Sequence, residues 1–75
     1  MDIDRATIVV VSSFRATREL GGVVSLLDGA DEDIKMALSK AIYDIMEDIV
    51  SPILEAHPSL KKDVEERMEK FGRAF

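Results

Sequence analysis

The middle of this 75-residue chain carries an apolar pattern that is too wide for a helix with a single neighbour. Residues 31–56 are typical of one amphipathic helix, because apolar side chains recur at steps of three and four. Its inner face is expected to hold Ile34, Leu38, Ala41, Ile42, Ile45, Ile49, Ile53 and Ala56. Met36, Tyr43, Val50 and Leu54 are also apolar and fall outside that face. A helix with so broad an apolar surface normally contacts two neighbours.

Two breaks divide the chain into three helical segments. The sequence Asp28–Asp31 combines a glycine suited to ending one helix with an aspartate suited to capping the next. Pro58 suits the first turn of a helix and disfavours helical geometry at the residue before it. The predicted helices cover about 4–28, about 31–56 and about 58–72. Because the apolar phase continues across Pro52, we expect a kink there rather than an end.

The β-branched run Ile8–Val11 poses a choice between strand and helix. The run does not alternate with polar residues, and no second segment is available to pair its backbone groups as a sheet. A helix is therefore favoured, and on that helix Ile8 and Val11 point away from the expected core. The residues predicted to form an interface with another chain are Ile8, Val11, Met36, Tyr43, Val50 and Leu54.

The third helix has one narrow apolar seam, expected to lie along the other two. Its members are Leu60, Val64, Met68, Phe71 and Phe75. The predicted fold class is therefore all-α: a single domain, residues 1–75, with a long antiparallel helical hairpin and a shorter C-terminal helix. A chain this short leaves much apolar surface uncovered, and it has no cysteine to form a disulfide. We therefore expect two copies to pair into a dimeric helical bundle.

Composition and charge exclude several classes of function. The net charge of −5 disfavours nucleic-acid partners, because affinity for phosphate depends on Lys and Arg. The longest apolar run is far too short to cross a membrane, and a cytoplasmic location is expected. Neither the single histidine, His57, nor the acidic residues form a recognisable catalytic motif. We therefore expect no enzyme activity, no catalytic residues, no metal site and no cofactor.

The leading hypothesis is a non-catalytic interaction or regulatory protein that acts through helix–helix contacts, as a homodimer with a possible further protein partner. Arg15 and Arg18 form the main basic patch, and ion pairing to another helix is the simplest role for them. An anion or acidic-peptide contact is the functional alternative for that patch.

Two hypotheses from other classes stay open. If residues 7–13 formed a strand, the layout would resemble the ribbon–helix–helix plan of dimeric DNA-binding regulators, whose strands enter the major groove. The run offers few polar side chains to read bases and no Lys or Arg. The third hypothesis is a carboxylate metal site in a helical bundle, for which Asp48 is the best candidate because it borders the apolar face.

Overall fold

A computed structural model describes all 75 residues and contains three helices and no strand. Helix α1 is Ile3–Val24, helix α2 runs without a break through Glu32–Ile45, Met46–Val50 and Ser51–Ala56, and helix α3 is Pro58–Phe71. The predicted all-α fold class is confirmed. Because residues 7–13 lie within α1, the strand required by the ribbon–helix–helix hypothesis is wrong.

Helix α1 begins with a side-chain cap and ends before the predicted boundary near residue 28. The Asp2 carboxylate accepts a hydrogen bond from the Arg5 backbone N–H at 2.8 Å, which satisfies one of the free donors of the first turn. The helix ends at Val24. Gly29 does not take the left-handed conformation expected of a helix terminator; it opens a 3₁₀ turn, Gly29–Asp31, that Asp28 caps.

The first two helices form an antiparallel hairpin, and α3 folds back beside them. Leu60 and Val64 on α3 pack into a core with residues of both hairpin helices. That core consists of Ala6, Val10, Val50, Leu60, Val64 and Ala74. It lies near the end of the hairpin that holds the start of α1 and the second half of α2. The opposite end, around the 3₁₀ turn, has no buried residue.

A π-helical turn, Met46–Val50, interrupts the regular geometry of α2. The Ser51 backbone N–H donates to the carbonyl of Met46, five residues earlier, instead of four. Pro52 follows directly; it has no N–H for the carbonyl four residues back, and its ring crowds that carbonyl. Widening the preceding turn avoids this clash and keeps the helix continuous.

The packing of α2 on the core changes part of the predicted interface. Val50 belongs to the core, and Met46 and Leu54, four residues to either side of it, pack against that core, so this stripe rather than Ile49 faces inward. Val50 is only 1% exposed within the single chain, and Leu54 packs against the same core. Val50 therefore has no surface to offer a second copy, and its place in the predicted interface is wrong, whereas Leu54 is only partly buried and stays a prediction. Ile49, expected to be internal, is partly exposed instead.

The C-terminal residues return to the core after α3 ends. Gly72 takes the left-handed conformation, with φ of 73°, and its N–H donates to the Met68 carbonyl at 2.9 Å. The chain then turns so that the Phe75 ring lies 5.9 Å from the Phe14 ring of α1. The guanidinium of Arg67 lies 5.0 Å from the centre of the Phe75 ring. This packing fixes the end of α3 against the middle of α1.

Candidate interaction surface

An open groove runs between α1 and α2, and we call it the hairpin groove. It has a volume of about 370 Å³. The groove is lined by Ile8, Val9, Ser12, Ser13, Ala16, Ile45 and Ile49. None of these side chains is charged, and none belongs to α3. The hairpin groove is therefore an uncharged surface that the rest of the chain leaves open.

The groove exists because the two helices offer side chains of different size. Along α1 the lining includes Ser12, Ser13 and Ala16, which are short. Along α2 it includes Ile45 and Ile49, which are long and branched. Small residues on one side and large ones on the other leave a depression into which the side chains of another helix can insert.

The apolar surface continues beyond the groove at helical spacing. On α1, Leu20 and Val23 follow Ala16 at steps of four and three, and Val23 is exposed. On α2, Leu38 and Ile34 precede Ile45 at helical spacing, and Ile34 is exposed. Residues three or four apart share a helix face. The open face of the hairpin therefore extends from the groove towards the 3₁₀ turn.

Charged residues lie beside the hairpin groove rather than in it. Arg15 precedes Ala16 on α1, and Asp48 precedes Ile49 on α2; neither forms an ion pair within the chain. Lys40 donates to Asp44 at 2.7 Å, and this hydrogen bond, reinforced by charge attraction, raises the pKa of Lys40. The two helices therefore carry unpaired charges of opposite sign on the flanks of one apolar surface.

The remaining predicted interface residues divide between two surfaces. Ile8 lines the hairpin groove and is 65% exposed. Met36 and Tyr43 on α2 are about as exposed as Ile8, but they lie outside the groove. Val11 is partly buried. The structure therefore does not bring the predicted set together on one face.

Sequence reasoning missed most of the groove. Ile49 was expected to lie inside the core, yet it lines an open surface, and Ile45 lines the groove as well as packing against the core. The sequence did contain a signal for the α1 side of the groove, since an uncharged stripe runs from Val9 through Ser12 and Ser13 to Ala16. Only the position of α3, which packs on the other side of the hairpin, decides that this stripe stays uncovered.

The basic patch on α1 is divided by the packing of the C-terminal residues. The Arg18 guanidinium donates a hydrogen bond to the Phe75 carbonyl, so it serves to hold that segment. Arg67 on α3 pairs with Asp63 at 3.2 Å in addition to its contact with the Phe75 ring. These arginines accordingly have structural partners within the chain.

The acidic residues do not converge. No group of three or more His, Asp or Glu side chains is placed to hold a metal ion within one chain. His57 lies at the junction of α2 and α3, where its backbone carbonyl accepts hydrogen bonds from Leu60 and Lys61. None of the helices combines the length and the apolar character needed to cross a lipid bilayer.

Comparisons with known proteins provide no relative: no family model, no curated protein and no solved structure matches the chain.

Proposed function

We propose that this chain is a non-catalytic interaction protein that acts through helix–helix contacts and works as a homodimer. The proposal is supported by how few residues the single chain buries: seven of 75 residues are buried, while eleven large apolar residues are exposed. Soluble monomers tolerate scattered apolar residues, but a continuous apolar face normally marks a contact with another molecule.

The size of the exposed surface supports the same proposal. A folded monomer of 8.3 kDa is expected to expose roughly 4,600 Å². This chain exposes 5347 Å². Its radius of gyration, 13.9 Å, also exceeds the value of about 11 Å typical of a domain of this length. Pairing with a second copy is the simplest way for such a small domain to cover the excess.

A folded dimer makes thermal stability depend on concentration. Because the folded state gains a partner by mass action, a hundred-fold increase in concentration stabilises the dimer by about 2.7 kcal/mol. The midpoint of thermal unfolding, followed by circular dichroism, is expected to rise by roughly 5 °C or more over that range. A midpoint that stays constant would contradict the homodimer.

A further inference from the structure

We infer that the hairpin groove is the surface through which two copies of the chain pair, face to face, into a four-helix bundle with α3 on the outside. This inference rests on the proposed homodimer and specifies its interface. It differs from the interface predicted from sequence, because it excludes the surface that carries Met36 and Tyr43.

The exposed surface of the whole chain is large enough for contact with a second copy. The excess of exposed surface over a typical monomer is roughly 800 Å². A stable interface of standard size buries about 800 Å² on each partner. Since the molecule measures 43 × 26 × 15 Å, a partner stacked on its thin dimension adds a second layer of helices.

The shape of the groove suits its own copy. Two-fold symmetry places the same patch on both sides of an interface, so the patch must be complementary to itself. The hairpin groove meets this requirement because α1 contributes the short residues Ser12, Ser13 and Ala16 beside Ile8 and Val9, and α2 contributes the long residues Ile45 and Ile49. When α1 of one copy faces α2 of the other, Ile45 and Ile49 can fill the depressions beside Ser12 and Ala16.

The charged residues beside the groove also favour pairing with a second copy. Arg15 lies on the α1 flank and Asp48 on the α2 flank, and neither has an ion-pair partner within the chain. In the same face-to-face arrangement, the α1 flank of one copy approaches the α2 flank of the other. A two-fold dimer therefore offers Arg15 an acidic neighbour twice, once on each side of the interface.

The apolar surface that carries Met36 and Tyr43 lacks these properties. Met36 and Tyr43 are separated on α2 by the polar residues Ser39 and Lys40. They border no cavity and stand alone, as single exposed apolar residues commonly do in monomeric proteins. They accordingly serve as controls for the groove.

Two matched substitutions test the inference by equilibrium sedimentation. Ile8 and Met36 are each 65% exposed, so a single chain tolerates a glutamate at either position equally well. Ile8→Glu is expected to weaken dimerisation by about a hundred-fold or more, because a carboxylate would be buried in an apolar interface. Met36→Glu is expected to leave dimerisation unchanged within about three-fold.

Thiol protection provides a second readout that does not require disruption of the fold. The chain has no cysteine, so Ser12→Cys in the groove and Ser39→Cys between Met36 and Tyr43 each introduce a unique thiol at an exposed site. Alkylation of the thiol at position 12 by iodoacetamide is expected to slow about ten-fold above the dimerisation concentration, by mass action. At position 39 the rate is expected to stay constant.

The outcomes separate the two proposals. A wild-type chain that is monomeric at all concentrations overturns both the homodimer and the groove interface. A dimeric wild type in which Met36→Glu dissociates the chains, or in which position 39 is the protected thiol, overturns the groove interface and leaves the homodimer standing. A dimeric wild type in which Ile8→Glu stays dimeric, with equal alkylation rates at both positions, also overturns the groove interface.

Discussion

Replacing Val50 with aspartate is expected to leave the chain largely unfolded at 25 °C. Val50 is almost completely buried between α1 and α3, and no cationic side chain belongs to the core around it. Burying an unpaired carboxylate there costs about 4 kcal/mol or more, which is close to the whole stability of a domain of this length. Urea unfolding followed by circular dichroism measures the loss.

Ser51→Asp is the control for Val50→Asp, because Ser51 is the next residue along the helix and is exposed. It adds the same charge to the same turn and is expected to change the free energy of unfolding by less than about 0.5 kcal/mol. If Val50→Asp unfolded at nearly the same urea concentration as the wild type, Val50 would point outward, and the packing of α2 on the core would be contradicted.

Shortening Leu60 to alanine is expected to lower the free energy of unfolding by about 2–4 kcal/mol. Leu60 is 5% exposed, and it anchors the start of α3 to the core of the hairpin. Removing its branched end leaves a cavity that α3 cannot close without losing the contact of Val64. Chemical unfolding of the purified variant, compared with the wild type, gives the difference.

Met68→Ala is the matched control on α3, because Met68 belongs to the same predicted seam and is 47% exposed. Its loss is expected to cost less than about 1 kcal/mol. Equal losses for the two substitutions would mean that the whole seam is buried and that α3 packs along its full length. The structure has the seam buried at Leu60 and Val64 and exposed at Met68 and Phe71.

The sequence predicted where the chain turns between the helices. Pro58 occupies the first turn of α3, as expected, and the capping sequence around Asp28 separates α1 from α2. Such signals are local, since they depend on backbone chemistry within a few residues. They predict where helices begin and end, although α1 ends at Val24, four residues before the predicted position.

The sequence did not predict which face of α2 packs inward, because two apolar stripes along the helix are equally possible. Adjacent apolar residues occur as Ile45-Met46, Ile49-Val50 and Ile53-Leu54, four positions apart. Either member of each pair forms a helical stripe, and periodicity alone cannot choose between them. The choice of Val50 over Ile49 depends on where α3 packs, which is a property of the tertiary structure.

The position of the C-terminal residues likewise depends on contacts with residues far away in the sequence. Gly72 ends α3 and directs Ala74 and Phe75 back to the core. The Phe14 ring and the Arg18 guanidinium, both on α1, meet that segment. Nothing local to residues 72–75 signals these partners, because they lie more than fifty positions away.

The central claim is that this chain covers its apolar surface by pairing with a second copy. Equilibrium sedimentation of the unmodified chain over about a hundred-fold dilution tests it most directly. We expect a mass of about twice 8.3 kDa at the upper concentrations, falling towards the mass of one chain only on dilution. A mass of 8.3 kDa at every concentration would contradict the claim.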